Sequence, residues 1–147
     1  KVPAIRHALI NSEKFFKKKF DIIIDLDATS PLRTTKDIKG ALNTFLKNRN
    51  SNLLSVCKSN KNPYFNMVEK KKRKIKIVKN SKINFYTRQD APDIFDINAS
   101  IYIWKKKHLF KTYNLFGKKT SIYIMPPERS IDIDSSFDFK LVKHLLV

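Results

Sequence analysis

Residues Asp21–Arg33 read D-I-I-I-D-L-D-A-T-S-P-L-R, a β-branched apolar run that passes straight into a polar turn containing Pro31. Ile22-Ile23-Ile24 with Leu26 is too short for a helix, and its unbroken hydrophobicity predicts a strand buried on both faces. Pro31 ends the strand. Thr34 or Thr35 is then expected to cap a helix, with Asp37 in its first turn, where a carboxylate suits the positive end of the helix dipole. Ile38, Ala41, Leu42, Phe45 and Leu46 recur at helical spacing and put one apolar stripe on that helix. Strand, loop and amphipathic helix in this order belong to an open α/β sheet. Ligands in such sheets sit beyond the carboxyl ends of the strands, so Asp27, Thr29, Ser30 and Arg33 stand where chemistry is usually done.

Outward from this unit the chain keeps alternating. Pro3 can open a helix on which Ile5, Ala8, Leu9, Phe15 and Phe16 share a face. Leu53–Cys57 reads as a short strand. Lys74–Tyr86 alternates Ile75, Ile77, Ile83 and Phe85 with lysines around Asn80-Ser81, the pattern of a two-stranded ribbon that cannot be stable alone and needs a surface or a second copy of the chain to lie on. Ile97–Trp104 predicts a strand with Asn98, Ser100 and Tyr102 on one face. His108–Phe116 predicts a helix ending at Gly117. Ser121–Met125 is a strand closed by Pro126-Pro127, Ile131–Asp134 a short strand or loop, and Ser135 with Asp138 caps a last helix carrying Leu141, Val142, Leu145 and Leu146. Strands alternating with helices predict an α/β layer architecture.

The chain has 147 residues, 41% of them hydrophobic and only two glycines, enough for one domain with a real core. No apolar stretch approaches the ~20 residues of a membrane helix. The single cysteine, Cys57, excludes an internal disulfide framework, fits a reducing cytoplasm, and by its apolar strand is expected in inert core. The first residue is Lys1 rather than Met, and no signal-peptide pattern opens the chain, so the sequence reads as a piece lacking its amino-terminal part.

A net charge of +18 invites a nucleic-acid reading. The lysines, however, are scattered through every segment alongside abundant Asn, Ile and Phe, whereas a dedicated nucleic-acid module concentrates Arg and aromatics on one face. The densest run, Lys70–Lys76, reads as a solvated hairpin arm that attracts polyanions such as a nucleoside triphosphate. The expectation is no nucleic-acid partner and no membrane partner.

Two constellations carry chemistry. In Ser130-Ile131-Asp132-Ile133-Asp134-Ser135, residues two apart in extended chain project from one face, so two carboxylates can converge on a hard divalent cation. The plainer reading is an exposed acidic pair capping the last helix. Thr87-Arg88-Gln89-Asp90-Ala91-Pro92 presents Arg88, suited to a bidentate grip on a carboxylate or phosphate, or to bridging arm and body. His7, His108 and His144 show no metal spacing, and no nucleophile–base pair is evident.

Taken in order, D-x-T-S-P-L-R, N-P-Y-F-N, R-Q-D-x-P, N-A-S-I-Y-I and M-P-x-E-R-S-I-D-I-D-S closely resemble the acylneuraminate cytidylyltransferases, the CMP-nonulosonate synthetases, from about Ile22 to the carboxyl terminus. Their flavour is nearest to members associated with bacterial surface or flagellar glycans. The resemblance implies a three-layer GT-A-like nucleotidyltransferase fold with a mixed, mostly parallel sheet. It implies one partial domain over residues 1–147, with 62–92 as a dimerisation arm and a homodimer as the working form. It also implies an enzyme in which the anomeric hydroxyl of a nine-carbon keto-sugar acid attacks the α-phosphate of CTP, releasing pyrophosphate. Such a displacement needs positioning and charge neutralisation rather than a protein nucleophile.

By the same resemblance Asp132 and Asp134 bind Mg²⁺, Asp27, Asn98 and Tyr102 line the sugar pocket, and Arg88 reaches the sugar carboxylate of the neighbouring subunit. The chain departs from many relatives at Asp27-Ala28, where they carry Gln-Pro, at Asp96, where some carry arginine, and at Ala99, where they carry glycine. These departures leave the sugar open among N-acetylneuraminate, legionaminate and related acids. The family's glycine- and lysine-rich first strand and nucleotide loop are not found here, so no residues are assigned to the triphosphate, and the piece alone is expected to be inactive. The rival readings are a basic nucleic-acid-binding module, a non-catalytic structural module, and a cytidylyltransferase for another acidic sugar such as Kdo.

Overall fold

The computed structural model describes residues 1–79 and 90–146. Pro3 lies in the first turn of α1 (Val2–Phe16), where its missing N–H costs nothing. There follow β1 (Ile22–Leu26), α2 (Thr35–Lys47), β2 (Asn52–Lys58), β3 (Val68–Lys71), β4 (Lys74–Ile77) and β5 (Phe95–Lys105). A single turn α3 (Lys106–Leu109), β6 (Thr120–Ile124), a 3-10 turn at Pro127–Arg129 and α4 (Ser136–Leu145) complete the order. Contacts divide the chain into two units, Lys1–Cys57 with Ile97–Val147, and Lys58–Asp96.

The first unit is built on a four-stranded sheet of order β1-β5-β2-β6, in which β1 and β5 run antiparallel and β2 and β6 parallel. The α/β class is therefore as expected, and the sheet is mixed. Thr34, rather than Thr35, caps α2: its hydroxyl accepts from the Asp37 N–H while the Asp37 carboxylate accepts from the Thr34 N–H, a reciprocal capping box. The apolar stripe of α2 then packs on the sheet. Ala41, Phe45, Leu53, Ile101, Ile103 and Met125 form the buried cluster, flanked by Ile22, Ile38, Leu42 and Tyr123. Each of the larger buried side chains there, Phe45, Leu53, Ile101, Ile103 and Met125, contributes about 1.5–3 kcal/mol.

Directly opposed residues of an antiparallel pair share a face. Ile24 opposes Ile103 and Leu26 opposes Ile101 on the α2 face, while Ile23 opposes Trp104 and Asp25 opposes Tyr102 on the other. On that second face Lys1 lies over the Tyr102 ring, and Arg6 of α1 donates to the carbonyls of Leu109 and Thr112. Lys106 reaches back to Glu13 through hydrogen bonds of 2.6 and 2.8 Å, so α1 is tied to the segment that follows β5.

Four expectations need correction. β1 is not buried on both faces, because Ile24 and Leu26 are 37% and 38% exposed. It is the end strand of the described sheet, and α2 covers the neighbouring strands. The strands buried on both faces are β2 over Asn52–Val56 and β5 over Ser100–Trp104. The helix expected at His108–Phe116 is only Lys106–Leu109, and Gly117 is no left-handed cap; Thr112 Oγ1 instead accepts from the Asn114 N–H and sets an irregular turn. Cys57 is partly exposed, since burial lapses toward the end of β2. α4 forms as expected, with Ser135 as its cap, and Val142 is its buried residue.

In the second unit the lysine-rich run makes a hairpin, with Val68 opposite Ile77 and Lys71 opposite Lys74. Its turn places Lys72 at φ 57°. β4 thus pairs upstream, with β3, and Ile83–Tyr86 of the expected ribbon lies outside the described residues. The hairpin is exposed, as a solvated arm should be, and its span falls within the 62–92 segment read as an arm.

Candidate functional site

The loop after β1 is held by its own side chains. Arg33 donates from Nη1 to the carbonyls of Asp27 (2.5 Å) and Ser30 (2.6 Å), so it is committed to shaping the turn. Ser30 is fully buried, and its hydroxyl has no partner among the described residues. Thr29 Oγ1 donates to Asp27 Oδ1 at 3.2 Å, and the Asp27 N–H donates to the Ser100 carbonyl. What the loop presents is chiefly the Asp27 carboxylate.

Around Asp27 gather Lys1, Asp25 and Tyr102. Lys1 Nζ is 2.6 Å from Asp27 Oδ2 and 3.5 Å from Asp25 Oδ2, and 4.1 Å from the centre of the Tyr102 ring. The hydrogen bond from Lys1 holds the Asp27 carboxyl below its usual range. Burial acts to lower the Lys1 pKa, but the bond to Asp27 and the nearby carboxylates outweigh it and raise it. Burial pushes the Tyr102 phenol up, Lys1 opposes the shift, and Asp27, Asp25 and Asp132 add to it. Asp132 therefore lies within electrostatic reach of Tyr102. Of these side chains, Asp25 and Lys1 escaped sequence reasoning; the signal for Asp25 was its i, i+2 spacing from Asp27 on one strand.

The acidic segment is drawn to the same place by the backbone. The Ile133 N–H donates to the Thr29 carbonyl at 2.9 Å, so Ser130–Asp134 runs beside the loop after β1 as irregular chain rather than as a strand. One oxygen of Asp132, Oδ1, is buried and has no hydrogen-bond partner among the described residues, and Asp134 is exposed. A carboxylate oxygen withdrawn from water and unpaired is costly unless a cation or donor meets it. Such an oxygen suits a hard cation that completes its coordination with water and phosphate oxygens. Among the described residues no group of three His, Cys, Asp or Glu side chains converges on a metal-sized point.

Asn98 is placed more deeply than a pocket wall. It is 4% exposed. Its Oδ1 accepts from the Ser55 hydroxyl at 2.6 Å and its Nδ2 donates to Ser130 Oγ at 2.9 Å. Ser130 Oγ donates in turn to the Pro126 carbonyl, so Asn98 ties the middle of the sheet to the start of the acidic segment. Next to it Ala99 has φ 54°, left-handed backbone at the position where the sequence departs from glycine. The structure brings Asp27, Tyr102 and Asp132 together, connects Asn98 to them through Ser130, and leaves Arg88 outside the described residues.

The second unit has its own polar hollow, about 470 Å³, lined by Lys58, Asn60, Lys61, Asn62, Asn66 and Asp93 among others. Asn62 shapes it: its Oδ1 accepts from the Tyr64 N–H, and its own N–H donates to Asn66 Oδ1. Among the described residues no helix is long and apolar enough to cross a membrane.

No family model matches the chain. It is 45% identical over 146 residues to the post-translational flagellin modification protein B of Campylobacter coli, and 47% identical over 146 residues to the CMP-N,N'-diacetyllegionaminic acid synthase of Campylobacter jejuni. Each match covers 99% of this chain and 61% of the relative, so the chain spans about three fifths of the length of these two proteins. An N-acylneuraminate cytidylyltransferase of Streptococcus agalactiae is 31% identical over 122 residues, covering 82% of this chain and 29% of that protein.

Proposed function

Because the chain belongs to the acylneuraminate cytidylyltransferase family, we propose that it forms part of an enzyme that transfers CMP from CTP to the anomeric hydroxyl of a nonulosonic acid and releases pyrophosphate, in the synthesis of activated sugars for surface or flagellar glycans. The observation that carries this reading is the juncture of the two motif loops: the Ile133–Thr29 hydrogen bond sets an unpaired Asp132 oxygen beside the Asp27 loop. The legionaminate- and flagellin-associated names of the relatives at 45–47% identity favour a diacylated acid of the legionaminate type over Kdo.

In this reading Asp132 and Asp134 hold Mg²⁺, which when bound neutralises charge on the phosphate. Asp27 and Tyr102 contact the sugar, Asp27 as an acceptor kept ionised by Lys1. Asn98 keeps the acidic segment in register through Ser130. Arg88 grips the sugar carboxylate across a homodimer in which residues 62–92 form the arm. The fold is the three-layer GT-A-like one, and the compartment is the cytoplasm, where CTP is made and a lone cysteine stays reduced.

The test is pyrophosphate release by the complete polypeptide with CTP and Mg²⁺, offered N,N'-diacetyllegionaminate, N-acetylneuraminate and Kdo in parallel. Turnover highest with the legionaminate acid is expected, since mismatched polar groups in a sugar pocket are heavily penalised. No turnover with any nonulosonic acid would refute the proposal.

A further inference from the structure

Arg129 lies outside every role assigned so far, yet it sits one residue before the acidic segment and its guanidinium grips a buried carboxylate far away in sequence. Arg129 Nε donates to Asp37 Oδ2 at 2.9 Å and Nη2 to Asp37 Oδ1 at 3.0 Å. Asp37 is 1% exposed and also accepts from the Thr34 N–H and hydroxyl, at 2.9 and 2.7 Å. A two-point pair of this kind fixes both distance and orientation. One end is the first turn of α2, which directly follows the Asp27 loop; the other is the 3-10 turn Pro127–Arg129, which delivers Asp132.

Two more bonds complete a frame around that delivery. Asn98 Nδ2 holds Ser130 Oγ, and the Thr29 carbonyl holds the Ile133 N–H. Between Ser130 and Asp134 the chain has no helix or strand of its own, so its path is set by these anchors. Asp37 is buried while the Arg129 side chain is 33% exposed; in such a half-buried, bidentate pair the desolvation of the carboxylate offsets much of the attraction, and the better-attested use is to impose one arrangement.

We propose that Arg129, through Asp37, is a positioning residue for the metal-binding carboxylates: it locks the turn before Ser130 onto the amino end of α2 and so fixes Asp132 beside the Asp27 loop. The inference rests on the Mg²⁺ reading of Asp132 and Asp134. Loss of a group hydrogen-bonded directly to a ligand typically weakens metal affinity about 10–100-fold; Arg129 acts one step further out, and a loss at the lower end of that range is expected.

The test uses the complete polypeptide and two readouts, Mn²⁺ binding followed by its paramagnetic resonance and hydrogen exchange of the peptide containing Ile133 without metal. Arg129→Met should weaken Mn²⁺ binding about tenfold or more and release protection across residues 126–135, while β2 and β5 stay protected. Arg129→Lys, which keeps one contact, should restore part of both. Because Arg129→Met strands a buried carboxylate, Arg129→Met with Asp37→Asn is the second variant, and it should show the same confined loss. Unchanged Mn²⁺ affinity and unchanged exchange in these variants would overturn the proposal, as would a loss of protection throughout the sheet in both. If the unaltered protein fails to bind Mn²⁺, the metal reading and the positioning role built on it fail together; if it binds and the variants bind as well, the positioning role alone fails.

Discussion

Gly40, on the sheet-facing side of α2, stands against the ring of Tyr123 on β6 so closely that a Cβ built on it would lie 2.5 Å from the phenolic oxygen and 2.9 Å from two ring carbons. Glycine inside a helix costs roughly 1 kcal/mol relative to alanine, so the residue is kept for space, and the space lets α2 approach β6. Gly40→Ala should therefore lower thermal stability despite its better helix propensity, by about 1–3 kcal/mol as overpacking does. Tyr123→Leu combined with it should recover part of the loss. Thermal unfolding of the complete protein decides the point, and a stabilised Gly40→Ala would show that the helix moves aside freely.

Acid should attack two ion pairs. Burial pushes the Asp37 carboxyl up, but the hydrogen bonds from Arg129 and Thr34 prevail and bring it down to about 2. Hydrogen bonds from Lys106 and the Phe20 N–H hold Glu13 down to about 2 as well. Both carboxyls are depressed below their unfolded values, so their stabilisation is present above those values, 3.8 and 4.5, and is lost as pH falls toward about 2. Urea midpoints should fall steeply between about pH 4.5 and pH 2. Lys106→Met should partly flatten the upper part of that fall by removing the largest of the bonds that depress Glu13, the Phe20 N–H and Lys19 remaining; an unaltered acid limb would contradict the assignment.

Ala99 has φ 54° between two buried polar residues, Asn98 and Ser100. A left-handed residue with a Cβ costs roughly 1–2 kcal/mol, against about 0.4–1 kcal/mol of extra chain entropy for glycine. Ala99→Gly is expected to be neutral to stabilising by up to about 1 kcal/mol, with Asn98 kept in place. A destabilised variant, measured by denaturant titration, would mean that the alanine methyl packs usefully.

The sequence revealed strands, caps and the two acidic loops because these rest on local chemistry. Apolar runs, Thr34 with Asp37 and Ser135 with Asp138 each act within a few residues. What it did not disclose depends on neighbours distant in the chain. Whether β1 is covered on both faces is decided by where α2 lands, not by Ile22–Leu26. His108–Phe116 before Gly117 suggested a helix, but the Leu115 carbonyl instead accepts from Asn52 Nδ2 at 2.6 Å, a side chain 63 positions away. Likewise Asn98, read as a wall of the sugar pocket, is consumed by Ser55 and Ser130, and Arg129, silent in the motif, found Asp37 across 92 residues.

Asp132 offers the sharpest separation of stability from activity. Its Oδ1 is buried without a partner among the described residues, and Asp25 and Asp27 stand near the same tyrosine. Three carboxylates against one lysine make an arrangement that a cation relieves and whose metal-free form is strained, as sites selected for function often are. Asp132→Asn removes one of these like charges while keeping a polar group in its place, and should therefore raise metal-free stability by up to about 1 kcal/mol, the scale of a partly exposed charge interaction, while abolishing Mg²⁺-dependent pyrophosphate release. Exposed Asp134, replaced in the same way, should lose turnover without the gain in stability. Thermal melts with and without Mg²⁺ separate the cases: the cation should stabilise the unaltered protein and leave Asp132→Asn unmoved. A variant that keeps its turnover would remove the metal from Asp132, and one that melts lower without metal would mean the carboxylate has a partner in the fold.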